Sequence, residues 1–423
     1  MKERAQEMAV LTAAGVVSAL GNSATEVWEA LLTARTDIAS IEGFDASTFA
    51  CNTAAEVRRL EVQPLGINPK DIRIMNTHSL MLMKCAIEAY EVGGLNGFPP
   101  EMIGFYAGLG MVDYEVSQIL PAVVKSLKPE GNVNDNAFYI NGYREIYPLW
   151  PLSMLNNIAL SQAAIRLQIK GENVVFSPHA DSGAQALIEG VRAVVDGKAM
   201  AVVAGGVSEK VNPLSIARGI NMGYLSGNAL SPFGAGRSGT ILGEGAAMFV
   251  IERLSTALDR GLLPLVGFYG WGGAFQCGDD LSGPTAEAIS AAMTAALRRA
   301  ELAPEDIDVV IAHGDGTRAA DGNESKAINA VFSESLSDLK VYASKGALGH
   351  LLAAAPAIDT FIASCILRDG IIPPTLNATP VDDEVRFDLV VDKPSAVQAR
   401  RIMINAHSCE GQAVSIIVGS AEV

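Results

Sequence analysis

Short apolar runs alternate with amphipathic stretches along most of the 423 residues, and that alternation fixes the class of fold. Strand-type runs are "IGFYAGLG" from Ile103, "VVFS" from Val174, "AMAVVAGGV" from Ala199, "AAMFVIERL" from Ala246 and "DVVIAHGDGT" from Asp308. Between them lie helical segments such as "AQALIEGVRAVVDG" from Ala184, whose apolar residues recur at i, i+3, i+4 and i+7, and "TAEAISAAMTAALRRAEL" from Thr285. Strands flanked by helices imply an α/β protein whose largely parallel sheets are covered on both faces.

The pattern also repeats. "VVFSPHADSGAQALIEGVRAVVDG" is echoed by "VYASKGALGHLLAAAPAIDTFIASCILRDG" from Val341: a strand, a turn of small residues, a long apolar helix and an Asp-Gly stop. Identity is weak but the order holds, so a duplicated unit meeting at a shared centre is expected. The seam falls near "ERLSTALDRGLLP" at 252–264, giving halves 1–255 and 256–423 with no flexible linker between them.

Composition removes several function classes. Lys and Arg total 31 against 47 Asp and Glu, a net charge of -16, which argues against nucleic acid or an anionic membrane as partner. The five cysteines are scattered, with no CxxC pair and no Cys/His cluster of metal-ligand spacing, so neither a metal nor a disulfide framework is expected. The start "MKERAQEMAV" lacks the apolar core of a signal peptide, and no apolar run is long enough for a membrane span. A cytoplasmic location without cofactor is the expectation.

Three loops point to chemistry. In "VVFSPHADSG", Val174 to Gly183, a buried strand runs through a tight turn into a helix. That turn lies beside the positive helix end and would stabilise an anionic nucleophile. In "AHGDGTRAADGNE", His313 follows a strand in a glycine-rich turn, placed either as an acid, base or oxyanion donor, or held by loop hydrogen bonds. In "SKGALGHLL", Lys345 and His350 flank a turn of small residues entering a helix. A lysine there can lower the proton affinity of a nearby histidine.

Taken in order, these loops resemble the motifs of the β-ketoacyl synthases of fatty-acid and polyketide assembly. The resemblance runs nearly end to end and includes "LGEGAAMFVIERL", "AHGDGT", "SKGALGHLLAAA", "DGIIPPTLN" and "INAHSCEGQAVSIIVG". It implies a duplicated thiolase-like fold, layered α-β-α-β-α with two mostly parallel mixed sheets. It further implies that a cysteine at the strand-helix turn takes an acyl chain from an acyl carrier protein. Two histidines, here His313 and His350, then assist malonyl decarboxylation, supported by a lysine, here Lys345. Asp321 and Glu324 match acidic positions that follow the first histidine motif.

The chain departs from that pattern at the cysteine. Aligning Ser182 and Gly183 with the end of the family motif puts Ala180 at the nucleophile position, and a methyl group cannot form a thioester. Neighbouring His179 is read as structural. In the last loop the family carries phenylalanines that gate the acyl site, whereas this chain has His407, Ser408, Cys409 and Glu410, with His407 and Cys409 at the phenylalanine positions. Gly234 stands where aspartate is usual, while Gly243, Glu244 and Gly245 keep the pattern.

Such losses are similar to those of the chain length factor, the cysteine-less subunit that pairs with an active ketosynthase and shapes the chain tunnel. The resemblance implies a heterodimer, with phosphopantetheine-bound acyl chains on acyl carrier protein docking mainly on the partner. Two alternatives stay open: a decarboxylase acting on malonyl-carrier protein, and an active ketosynthase carrying an engineered cysteine-to-alanine change at Ala180. The retained histidines can equally be inherited scaffolding, since a buried polar network persists when deleting one partner strands another.

Overall fold

The structure, a computed structural model, describes residues 7–62, 66–67, 75–227, 229–278 and 283–421. The first six residues, part of the start on which the expectation of no signal peptide rests, lie outside these. The first half contributes β1 (Ala9–Ser18), β2 (Ile103–Leu109), β3 (Asn173–Phe176), β4 (Ala201–Val207) and β5 (Gly245–Arg253). The second contributes β6 (Val266–Phe275), β7 (Val309–Ile311), β8 (Lys340–Tyr342), β9 (Arg401–His407) and β10 (Gln412–Gly419).

The duplication is visible in the strand order. The first half reads β3-β2-β4-β5-β1 from its outer edge, and the second reads β8-β7-β9-β10-β6 inside the short edge strand Asp388–Leu389, so both run third, second, fourth, fifth, first. The senses agree as well. β2 is parallel to β3 and β4, while β5 is antiparallel to β4 and β1. Likewise β7 is parallel to β8 and β9, while β10 is antiparallel to β9 and β6. The two mixed halves join where β1 pairs with β6 through Val10–Gly267 and Leu11–Val266.

Helices complete five layers. α1 (Thr77–Val92) and α2 (Asn156–Leu167) cover the outer face of the first half. α3 (Ala180–Val195) lies in the middle layer; α4 (Ala286–Ala300) and α5 (Arg318–Val331) cover the outer face of the second half. α6 (Ala355–Asp369) is the counterpart of α3 in the repeat and packs beside it. Their apolar faces, with Leu187, Val191, Ile358 and Ile362, meet the inner faces of both sheet halves in one central core. This is the duplicated thiolase-like architecture. Among the described residues, no helix is long and apolar enough to cross a membrane.

Close backbone approach sets the centre. A Cβ on Gly183 of α3 would lie 2.0 Å from the carbonyl oxygen of Ala353, and one on Gly206 of β4 would lie 2.2 Å from the same atom. Only glycine admits that carbonyl at both positions. The turn that follows His350 is thereby pressed against the start of α3, so the two echoed segments face each other.

Candidate functional site

His179 caps α3 in extended backbone geometry, and its side chain makes no cap hydrogen bond. The next residue, Ala180, is fully buried in the central core. The turn is anchored by Ser182, whose backbone N–H and hydroxyl both donate to the His179 carbonyl, at 3.0 and 2.5 Å. The strand-helix pedestal is therefore built in full, and its tip carries a methyl group.

Opposite it, the loop after β7 is held by two buried carboxylates. Glu324 accepts from the N–H groups of His313 and Gly314, both at 2.9 Å, and from the Asn405 amide at 3.0 Å. Asp321 accepts from the N–H of Phe233 at 2.7 Å and of Gly316 at 3.1 Å. Both acids flagged in the sequence thus bind main chain rather than open space. Burial raises the pKa of each, and for Glu324 its hydrogen bonds oppose the rise.

Three imidazoles converge. The rings of His313 and His350 are 5.1 Å apart and nearly perpendicular; those of His313 and His407 are 4.8 Å apart and tilted by 34°. The N–H of His407 donates to Nδ1 of His313 at 3.2 Å, and the N–H of Leu352 donates to Nδ1 of His350 at 3.2 Å. Burial first, then the charge of Lys345, lowers the proton affinity of both rings well below the ordinary range. A neutral ring whose Nδ1 accepts a hydrogen bond carries its proton on Nε2. His313 and His350 therefore each keep one Nε2–H donor for a ligand. Lys345 sits behind them, fully buried, with Nζ donating to the His313 carbonyl.

The gate-loop residues divide. His407, Ser408 and Cys409 line the same cavity as His313 and His350, whereas Glu410 is largely exposed. Ser408 donates to the Gln412 side chain. The Cys409 thiol lies 3.5 Å from Nε2 of His179, which is also 3.8 Å from a Glu410 oxygen. Burial, with Glu410 next, pushes that thiol up to about 11, so it rests protonated and is a poor nucleophile. His179, read as structural from sequence, lines the cavity, and burial lowers its proton affinity.

The cavity has a volume of about 660 Å³. Its lining also includes Tyr224, which carried no signal in sequence, and Asp315, Thr317 and Arg318 from the first histidine loop, to which no individual role was assigned. Neither Ala180 nor Lys345 lines the cavity itself: Ala180 follows the lining residue His179, and Lys345 donates to the carbonyl of the lining residue His313. Among the described residues, no group of three His, Cys, Asp or Glu side chains is placed to hold a metal ion.

The chain matches the N-terminal domain of the beta-ketoacyl synthases over residues 6–257 and their C-terminal domain over residues 272–379. It belongs to the beta-ketoacyl synthase family. The 3-oxoacyl-[acyl-carrier-protein] synthase 2 of Coxiella burnetii is 31% identical over 418 residues, spanning 95% of this chain and 96% of that protein. The protein of the same description from Staphylococcus aureus is 29% identical, spanning 94% and 97%. Among solved structures, a beta-ketoacyl synthase from Burkholderia phymatum superposes with a TM-score of 0.84 at 25% identity, over 98% of this chain and 99% of that one. The ishigamide ketosynthase/chain length factor superposes with a TM-score of 0.86 over the same shares, at 24% identity, which is a likeness of fold.

A second polar cluster of this ketosynthase-type chain had no signal in sequence. Arg218 binds both carboxylate oxygens of Asp113, at 2.9 and 3.0 Å, and one oxygen of Glu209 at 2.7 Å. Burial raises Glu209 to about 7 despite that cation. Beside the cluster, Asp113, His78 and Asn212 line a smaller cavity of about 350 Å³.

Proposed function

We propose that this chain is the cysteine-less subunit of a ketosynthase pair, of the chain length factor type, built from halves 1–255 and 256–423. One observation carries the reading: the intact turn at the head of α3 presents Ala180, which has no atom able to hold an acyl group. The active ketosynthase partner supplies the thiol, and acyl carrier protein with its phosphopantetheine-bound chain docks mainly on that partner. The surface supports such pairing. Tyr139 and Ile140 are 75% and 62% exposed, and Tyr143, Tyr147 and Leu149 of the same segment are exposed as well. A segment this rich in exposed apolar side chains favours a covered state. Among the described residues, half-exposed β3 also ends the sheet with an unpaired edge.

Co-expression with an active ketosynthase and sizing test this reading. The expected result is a heterodimer that condenses acyl chains through the partner's cysteine. A homodimer of this chain that condenses alone overturns it.

A second reading is supported by the two Nε2–H donors held toward an open cavity. Decarboxylation of a malonyl thioester needs oxyanion donors but no thiol. Release of CO2 from malonyl-carrier protein by the purified chain, lost in His313→Ala, tests it.

A further inference from the structure

The ion cluster of Asp113, Arg218 and Glu209 lies outside the histidine site, on the one helix that reaches both cavities. β2 and β4 are parallel neighbours, so the segments that follow them leave the sheet side by side and bring Asp113 and Glu209 together. The helix Pro213–Asn221 starts beside them. Asn212 caps it, accepting from the N–H groups of Leu214 and Ser215 at 2.8 and 2.9 Å, while its own N–H donates to the Ser215 hydroxyl. Proline at the first helical position adds to this fixed start. From the last turn, Arg218 reaches both acids.

The two ends of that helix serve different cavities. Its cap, Asn212, lines the smaller cavity together with Asp113, whereas Asn221 at its other end and Tyr224 just beyond line the main one. Among the described residues, none lines both. The charges of the cluster act on the main-cavity side. Burial, and then Arg218, lowers the proton affinity of His179 against the pull of Glu410, and burial, then Glu209, raises that of Tyr224. The side chains of Arg218, Asp113 and Glu209 are 22%, 12% and 3% exposed, so the ions are paired mostly out of water.

An apolar chain advancing from the main cavity toward the smaller one must part these ions, and unpairing a buried charge is costly. We infer that the Asp113–Arg218–Glu209 cluster is a partition that confines an acyl group to the main cavity, so that this chain's own site takes short acyl thioesters and rejects long ones. The inference rests on the decarboxylation reading above, in which the main cavity holds a thioester, and adds to it the length of acyl group that fits. The smaller cavity, lined in part by exposed Tyr147 and Leu149, is left to the face on which a partner is proposed to sit.

The test is binding of acetyl-, hexanoyl- and dodecanoyl-pantetheine to the full chain by calorimetry. Removing Arg218 alone would strand two carboxylates, so the variant combines Arg218→Ala with Asp113→Asn and Glu209→Gln, which opens the wall and leaves no charge unpaired. Circular dichroism checks its fold. In the wild type, affinity is expected to rise from acetyl to hexanoyl by up to about fourfold per methylene, and dodecanoyl to bind no tighter than hexanoyl. In the variant, dodecanoyl is expected to bind at least about tenfold tighter than hexanoyl. A wild type that prefers dodecanoyl, or a folded variant that keeps the wild-type order, overturns the partition while leaving the decarboxylation reading standing. Should the variant not fold, a crystal structure of the wild type soaked with dodecanoyl-pantetheine decides: a chain that stops short of Arg218 supports the partition, and one that runs past it into the smaller cavity overturns it. No binding of any of the three overturns the reading of the main cavity as a thioester site, and the partition with it.

Discussion

The main-chain N–H of His407 donates to Nδ1 of His313 at 3.2 Å, so a residue of the altered gate loop fixes the tautomer of a retained family histidine. On the other side, the His313 N–H is held by Glu324 and its carbonyl by Lys345. The ring is thus positioned by three elements distant in sequence, and its Nε2–H is what remains for a ligand.

Glu324 is the anchor of that arrangement. Glu324→Ala strands the N–H groups of His313 and Gly314 and the Asn405 amide, all buried. With about 1–3 kcal/mol per stranded group and partial relaxation, a loss of at least about 2 kcal/mol is expected. Urea unfolding reads it directly, and an unchanged midpoint would show that the loop is held by other contacts.

Ala180 lies on a turn that is otherwise complete. Ala180→Cys is expected to create a thiol at the head of α3, where the helix end favours the thiolate. Intact-mass and peptide analysis after incubation with an acyl-carrier-protein thioester should find the acyl group at residue 180 in the variant and nowhere on that turn in the wild type. Failure of the variant to acylate would mean that the pocket has lost more than its nucleophile.

Much of this site was legible in the sequence because it is carried by local signals. A strand, a small-residue turn and a helix put His313, Lys345, His350 and Ala180 at predictable places, and the repeat brought the two turns together. Two central strands were missed. "AVLTAAGVVS" at Ala9–Ser18 and "VGFYGWGGAF" at Val266–Phe275 are rich in alanine and glycine, which carry little strand propensity, yet these strands join the sheet halves. Their place is set by packing under α1 and α4. The unpartnered ring of His407 and the Asp113–Arg218–Glu209 cluster were also illegible. Both depend on contacts between residues far apart in the chain, for which no spacing rule exists.

Acid stability should report the burial of His407. Its folded pKa is about 3 against an ordinary 6.5. Above about pH 6.5 the ring is neutral in both states and contributes nothing. As pH falls below that, the unfolded chain takes a proton that the folded ring refuses, so stability is lost across this window. His78, lowered to about 4 by burial, acts in the same direction. Glu209 and Glu244, raised to about 7, act in the opposite direction but are common to wild type and variant. His407→Phe removes one histidine term. The wild type is therefore expected to lose roughly 3 kcal/mol more than the variant between about pH 6.5 and pH 4. Urea unfolding across that range checks it, and parallel pH profiles would refute the burial of a neutral ring.

The exposed apolar side chains of Tyr139 and Ile140 separate folding from assembly. Both side chains are mainly exposed at the end of the short helix Asp135–Ile140, so Tyr139→Ser with Ile140→Lys removes apolar surface without opening a cavity. Exposed substitutions of this kind change stability by no more than about 0.5 kcal/mol each, and lysine suits a helix C-terminus. If this segment is covered by a ketosynthase partner, the double variant should fold normally by circular dichroism and weaken the heterodimer by at least about tenfold, since two buried side chains contribute about 1.5–3 kcal/mol apiece. Analytical ultracentrifugation of the co-expressed pair measures this. Unchanged association would place the interface elsewhere on the chain.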